Sequence, residues 1–378
     1  MVWAALAAAC VWLALILTPW QPWRYRERLE ADATAGVGRP AEVTVLMPAR
    51  NERAVIRDSL AALAHQGLPL RVIVIDDGSE DGTSEAARAA GLADLTVITA
   101  PPLAAGWTGK LWALEQGRLH VTTPYTLLLD ADIRLQPHTI PALLTKARQE
   151  NATLVSLMAK PAMSGFWDRW LMPVFVYFFK LLYPFGLANR ISSRQAAAAG
   201  GCLLVKTGAL AELGGFGALR GAVIDDCALA ALVKRRLSAP IWIGATHAAV
   251  MLRENGLSAI WRMVARTAFT QLRYSVWLLI ACTAILLLIF VVPAAALITG
   301  SVRAQAMALA ALALMAASYV PTMRFYGQSA WALVGLPFAG LAFLLMTYTS
   351  ALWYARGHRS LWKGRAYGRH ETGTSGPQ

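Results

Sequence analysis

This chain of 378 residues lacks the cysteine spacing of a zinc site or a disulfide framework. Cys10, Cys202, Cys227 and Cys282 are scattered, with no C-x-x-C, and two of them sit in hydrophobic runs. The soluble part is therefore expected in the cytosol. No aromatic-basic module for nucleic acid is present either, so the net charge of +13 is assigned to anionic lipid and not to nucleic acid. Charge is missing altogether from Met1 to Trp23. A secretory signal peptide carries its positive charge before the apolar run. Here Arg24, Arg26 and Arg28 follow the run, which fits a membrane anchor with its N-terminus outside and its basic flank inside. Three later stretches are also uncharged: Val276 to Val302, Ala304 to Met323 and Phe325 to Ala355. Each meets the roughly 20-residue requirement for a span. Transport pathways usually need ionisable residues inside the membrane, so the missing charge counts against a transporter with a regulatory nucleotide-binding domain.

What is present begins with apolar bulk. Hydrophobic residues make up 57% of the chain, more than a soluble protein needs, and membrane spans account for the excess. The tail carries Arg356, Arg359, Lys363, Arg365 and Arg369, a cytosolic signature, yet three full crossings from a cytosolic domain would leave it outside. A re-entrant or broken segment at Gly335-Leu336-Pro337 is one way to reconcile the two.

Between these membrane regions the chain alternates strand and helix. Val43 to Met47 predicts a strand, Pro48 to Glu52 a turn, and Asn51 an N-cap for a helix running to Gln66. A strand over Arg71 to Ile75 ends in Asp76-Asp77-Gly78-Ser79-Glu80-Asp81-Gly82-Thr83, and helix follows from about Ser84 to Ala90. Leu95 to Thr99 is a third strand, and Gly106-Trp107-Thr108-Gly109-Lys110 leads into a helix near Leu111. Leu127-Leu128-Leu129 is a buried strand followed by Asp130-Ala131-Asp132. This alternation predicts an α/β fold with a parallel, doubly wound sheet, whose ligands bind at the carboxyl ends of the strands.

The acidic turns fall at those ends. On extended backbone, positions i and i+2 share a side, so Asp130 and Asp132 can face one spot and hold Mg²⁺ or Mn²⁺ beside phosphate oxygens. Of Asp76 and Asp77, one can form an Asx turn capping the next helix, and the other would present its carboxylate at the sheet edge. Lys110 is equally a surface lysine or a point charge for phosphate. Val223-Ile224-Asp225-Asp226 offers a second acidic pair, as an N-cap or as a general base. Phe166 to Phe185 is aromatic-rich with Trp167, Trp170, Leu171, Val174, Phe178 and Leu181 on one face, and it also carries Asp168, Arg169 and Lys180. An interfacial amphipathic helix over about 166–185 is the expectation, with a buried core helix as the alternative. Residues 1–23 are thus expected as the anchor, 41–275 as the α/β domain, 276–355 as the C-terminal membrane region and 356–378 as the tail.

With these residues in hand, the chain resembles the family 2 glycosyltransferases. The resemblance runs through Val45-Leu46-Met47-Pro48-Ala49-Arg50-Asn51-Glu52, Asp76-Asp77-Gly78-Ser79, Asp130-Ala131-Asp132 and Asp225-Asp226, in that family's order. It looks most like the hopene-associated glycosyltransferases of bacterial hopanoid clusters. Gly106 to Leu114, Ser156 to Met158, Ala196 to Cys202, Arg220 to Leu229 and Trp261 to Ser275 carry that closer likeness, and Trp362 to Arg365 is similar to related membrane lipid enzymes.

The resemblance implies a GT-A fold at the bacterial inner membrane with its catalytic domain in the cytosol. It implies a nucleotide-sugar donor such as a UDP-sugar, met by Pro48, Asn51, Glu52, Asp76, Asp77, Lys110 and Asp130. Asp130 and Asp132 would act through a divalent metal, Asp226 would be the base, and Asp225 stands beside it. The acceptor would be a membrane lipid, and a polyprenyl phosphate, which needs no base, is the other candidate. Processive synthases carry Q-x-x-R-W, whereas this chain has Gln271-Leu272-Arg273-Tyr274. That departure favours a single transfer over polymer synthesis.

Overall fold

The computed structural model describes residues 1–34, 42–222, 224–253, 256–357, 360–362 and 365–367. Val223, part of the linker before residue 42, and the tail residues Arg359, Lys363, Gly364 and Arg369 lie outside the described residues.

After α1 (Val2–Leu17) come β1 (Val43–Ala49), α2 (Ile56–Leu63), β2 (Arg71–Asp76), α3 (Thr83–Arg88), β3 (Leu95–Thr99), α4 (Gly109–Arg118) and β4 (Tyr125–Leu129). Next are β5 (Ile133–Leu135), α5 (Thr139–Gln149), β6 (Leu154–Lys160), α6 (Phe166–Leu182), α7 (Phe185–Ala188), β7 (Cys202–Lys206), α8 (Thr207–Glu212), α9 (Asp225–Arg236) and β8 (Ile241–Met251). Eight strands form one sheet in the order β3-β2-β1-β4-β7-β6-β8-β5. The first four run parallel, as the alternation requires. The sheet as a whole is mixed, and this corrects the parallel expectation: β7 is antiparallel to β4 and β6, and β5 is antiparallel to β8.

Leucines 127–129 show why the centre of the sheet holds. Leu127 and Leu129 enter the apolar cluster on one face with Val45, Val72 and Leu143, while Leu128 enters the other with Leu46, Ile73 and Leu114. Successive side chains alternate faces, so an unbroken apolar run marks a strand covered on both sides. Pro48 is tolerated in the neighbouring strand for a related reason. The Ala49 carbonyl accepts the Asp77 N–H on the β2 side, so position 48 points its backbone toward β4, where pairing has already ended at Leu46–Leu128. The missing proline N–H therefore costs no ladder bond.

The helix expected from Asn51 to Gln66 begins only at Ile56 and carries no side-chain cap. Asn51 sits five residues earlier with φ of 53°, and its amide is used elsewhere, as shown below.

Behind the sheet stands a helical layer: α10 (Gly256–Gln271), α11 (Val276–Leu286), a π turn (Leu287–Val291), α12 (Val292–Thr299), α13 (Val302–Phe325) and α14 (Trp331–Ala355). A short hairpin, β9 (Ser360–Trp362) with β10 (Arg365–Tyr367), follows. Four segments are long and apolar enough to cross a membrane: Phe166–Ala188, Val276–Thr299, Val302–Phe325 and Trp331–Ala355. α14 runs without a break through Pro337, so the chain is not interrupted at Gly335-Leu336-Pro337. Gly335 is needed for packing instead: its carbonyl accepts the Trp170 indole N–H at 3.0 Å, and a Cβ there would lie 2.7 Å from that nitrogen.

α6 forms over nearly the expected residues, but protein covers most of its apolar face. Leu171, Val174 and Tyr177 are buried with Ile260 and Val264 of α10, Met315 and Tyr319 of α13 and Phe343 of α14. Phe178 packs edge-on against Phe290 and Phe343. The ends of the helix are open, with Phe166 70% and Leu182 60% exposed. Helical periodicity reports that a face is buried; it carries no information about what buries it.

Candidate active site

The carboxyl ends of β1 and β2 are stitched into one surface. Asn51 N–H donates to Ser79 Oγ at 3.0 Å, and Asn51 Oδ1 accepts the Glu80 N–H at 3.0 Å. Glu52 N–H donates to Thr83 Oγ1 at 2.8 Å, and Arg53 N–H donates to Asp81 Oδ2 at 3.1 Å. Two glycines let the second loop fold back, Gly78 at φ 70° and Gly82 at φ 88°, values that side chains with a Cβ avoid. Of the acidic pair, Asp76 is the one engaged in the turn. Its carboxylate accepts the Ser79 N–H at 2.9 Å and the Ser84 hydroxyl. Asp77 lies against Arg50, which donates to its carbonyl and stands 3.7 Å from its carboxylate.

Asp130 and Asp132 follow β4 on a tight turn closed by Ile133 N–H to Asp130 O at 3.0 Å. Asp132 thus lies in a turn and not in a continued strand, and each carboxylate has a cation beside it. Lys110 Nζ sits 2.7 Å from Asp130 and 3.8 Å from Asp225. Arg253 stands 3.9 Å from Asp132 and donates to Glu52. Four carboxylates and two cations therefore line the mouth of the sheet, with Arg253 between Glu52 and Asp132 and Lys110 between Asp130 and Asp225.

Asp225 and Asp226 open α9 from its first turn, with Ile224 and not an aspartate at the cap. Asp226 Oδ1 accepts the Cys227 N–H at 2.7 Å. Burial, and next the charge of Asp225, push the Asp226 carboxyl up to about 7, against the opposing pull of Cys227 N–H and Lys110. Burial also opposes the charge on Lys110, yet Asp130 and Asp225 together raise its pKa above the ordinary lysine value. The lysine is a fixed positive charge between the two acidic pairs, not a free surface residue.

The structure thus brings Glu52, Lys110, Asp130, Asp132, Asp225 and Asp226 into one cleft, with Asn51, Asp76 and Asp77 on its β1–β2 rim. Pro48 is buried in β1 beneath that rim. Two residues of the cleft escaped sequence reasoning. Arg253 follows β8 as a single basic residue with no motif around it. Gly200 packs so closely that a Cβ would lie 3.2 Å from Asp226 Oδ2 and 3.4 Å from Lys110 Nζ. Its only signal was the alanine run leading into Gly200-Gly201.

Among the described residues no group of three or more His, Cys, Asp or Glu side chains could hold a metal by itself. The two carboxylates Asp130 and Asp132 instead suit a hard cation that completes its shell with phosphate and water oxygens, as Mg²⁺ and Mn²⁺ do with nucleotides.

Residues 44–214 match the family described as Glycosyl transferase family 2. Among characterised proteins, the chain is similar to 4,4'-diaponeurosporenoate glycosyltransferase of Staphylococcus haemolyticus, 32% identical over 117 residues, which is 30% of this chain and 31% of the relative. A Staphylococcus aureus protein of the same name is 39% identical over 92 residues, 24% of each chain. The chain thus spans less than a third of the length of these relatives. The fold is similar to that of a mannosyltransferase from Pyrobaculum calidifontis, solved in complex with GDP-Man and Mn²⁺, with a TM-score of 0.59. That likeness covers 93% of this chain and 99% of the other, at 20% identity. The α/β domain built on residues 44–214 belongs to glycosyl transferase family 2.

Proposed function

We propose that this protein is a membrane-bound inverting glycosyltransferase that moves one sugar from a nucleoside-diphosphate donor, a UDP-sugar, to the hydroxyl of a membrane lipid. The hopanoids and similar polycyclic alcohols are the acceptor class, by the resemblance of the chain to hopene-associated enzymes. The observation that carries the reading is the bridge that Lys110 makes between Asp130, after the central strand β4, and Asp225, the neighbour of Asp226 at the start of α9. The relatives named for a diaponeurosporenoate acceptor support a lipid-type substrate.

In this reading Asn51, Asp76 and Asp77 form the rim that meets the nucleoside, and Glu52 is kept in place through Arg253. Asp130 and Asp132 would hold Mg²⁺ or Mn²⁺. When bound, the cation neutralises charge developing on the departing diphosphate. Lys110 holds a permanent positive charge at the same spot. Asp226 takes the proton of the attacking hydroxyl, and a base is most effective with a pKa near the working pH. A base opposite the leaving group gives in-line displacement and inversion at the anomeric carbon. The inner-membrane location with a cytosolic catalytic domain follows from the same reading, because nucleotide sugars are made in the cytosol.

Purified protein in liposomes, supplied with labelled nucleotide sugars, tests it. Label is expected in a membrane lipid and to depend on Mg²⁺ or Mn²⁺. Label appearing only in water-soluble sugars or peptides, with lipid untouched, would overturn the lipid assignment. Full transfer in excess chelator would overturn the metal role.

A further inference from the structure

The loop between α7 and β7, residues 189–201, carries Arg190 and Arg194 and no Asp or Glu. It nevertheless closes round a cation. Lys234 of α9 reaches into it and donates from Nζ to four backbone carbonyls. These are Ala188 O at 2.7 Å, Arg190 O at 2.8 Å, Ser193 O at 3.0 Å and Gln195 O at 2.7 Å. An ammonium has three N–H groups, so at least one of them is shared between two oxygens. Every one of these acceptors is a neutral backbone carbonyl. A lysine capping the last turn of α7 would account for Ala188 alone; the other three carbonyls lie beyond that helix. Rings of carbonyl oxygens facing inward are how proteins replace the hydration shell of an alkali cation. Here the ion is tethered to a helix.

The same helix grips the loop a second time, nearer the reaction. Cys227 Sγ donates to Ala198 O at 3.3 Å. Ser156 Oγ accepts the Ala199 N–H at 2.8 Å and donates to the Ala199 carbonyl at 3.1 Å. Gly200 follows, where a Cβ would lie 3.2 Å from Asp226 Oδ2, so the backbone at position 200 forms one wall beside that carboxylate. At the other end of the loop Asn189 is fixed to β8: its Nδ2 donates to Ile243 O at 3.0 Å, and its Oδ1 accepts the Ile243 N–H at 2.7 Å. Between these anchors Arg190, Ile191, Ser192 and Arg194 are exposed, and the four bonds of Lys234 span the interval.

We propose that residues 188–195 form a cage for a monovalent cation whose occupant is the Lys234 ammonium, and that the filled cage holds Gly200 at its distance from Asp226. Lys234 is thus a positioning residue for the proposed transfer, and that half of the inference rests on the functional reading; the cage does not. Emptying the cage leaves four carbonyls turned toward a space without a donor, a costly state for partly buried polar groups. Free ammonium, which matches the lost group in charge, size and donors, is the ligand that fills it.

Lys234→Ala empties the cage. The experiment uses the full chain in liposomes containing a polycyclic triterpenoid alcohol, with labelled UDP-sugars. kcat is expected to fall about tenfold to a hundredfold, the range for a reacting group misplaced by roughly 1 Å. UDP affinity should stay at the wild-type value, because Lys110 and Asp130 are untouched. Ammonium or methylammonium chloride should restore kcat and melting temperature, whereas tetramethylammonium chloride at the same concentration, which offers no N–H, should restore neither. Lys234→Met keeps a side chain in the vacated space, so it should lose kcat in the same way and gain nothing from ammonium. Wild-type kcat in the folded Lys234→Ala protein, or equal rescue by ammonium and tetramethylammonium, overturns the positioning role. The unmodified protein tests the cage directly: acetic anhydride should label Lys234 far more slowly in the folded enzyme than in the denatured chain, as read by peptide mass spectrometry. Equal labelling in the two states overturns the cage. If the unmodified enzyme labels no lipid, the functional reading has failed, and the labelling and melting measurements still judge the cage.

Discussion

Asp226 depends on its surroundings more than any other residue of the cleft. A carboxylate in water ionises near pH 4 and is too weak a base to help an alcohol attack. Enclosure and the neighbouring Asp225 raise Asp226 to about 7, which brings its basicity to near-neutral pH. The sign of the pH dependence follows. The protonated acid cannot accept a proton, so kcat should climb as pH rises through about 7 and then level off. Asp226→Asn should lower kcat by roughly 10²–10⁴, erase that limb and leave UDP affinity in place. Rate measurements across pH 5.5 to 8.5, with UDP titrations alongside, would decide it. Equal loss of nucleotide binding and rate would make Asp226 a donor ligand. Transfer unaffected by the change would favour an acceptor that needs no base, such as a polyprenyl phosphate.

At the level of elements, glycines mark where helices meet. A Cβ at Gly340 of α14 would lie 2.5 Å from the ring of Phe290 in the π turn, closer than any real contact, and the ring is itself buried. Gly340→Val should therefore force the two helices apart and cost about 1–3 kcal/mol, the usual range for overpacking. A lower melting temperature in detergent, with UDP affinity retained, is the expected result. Such contacts cannot be read from sequence, because the partner is some fifty residues away. The strands were legible for the opposite reason: Val43, Arg71 and Leu95 begin short apolar runs bounded by turn residues, and their signal is local. β5, β6 and β8 were missed because three-residue strands and runs interrupted by polar residues carry little periodicity. Asp130 and Asp132 were found by spacing, but their geometry was not, since a turn replaced the expected extended backbone. Arg253 and Gly200 act only through neighbours that folding brings to them.

For the whole molecule, the question is whether the α/β domain can exist without its helices. The domain and the membrane layer share one apolar cluster. Leu171, Met172, Val174 and Tyr177 of α6 and Ile260 and Val264 of α10 are buried against α1, α13 and α14. Each such side chain contributes roughly 1.5–3 kcal/mol by leaving water. Removing everything after Ser275 would leave these six with α1 and each other but strip away the cover that α13 and α14 provide, on a domain whose net stability is about 5–15 kcal/mol. The link extends beyond α6 and α10. His247 of β8 stacks on Phe325 at the end of α13 with ring centroids 4.1 Å apart, and Tyr25 after α1 stacks on the same ring at 4.4 Å. A fragment ending at Ser275 should therefore aggregate or require detergent, although it keeps the whole 44–214 family region. The full chain in the same detergent should stay monodisperse and bind UDP. Size-exclusion chromatography and nucleotide titration of both proteins provide the test. A soluble fragment that binds UDP as tightly as the full chain would show that the helical layer only tethers the domain. A fragment that recovers in detergent but not in buffer would show that the layer is part of its core.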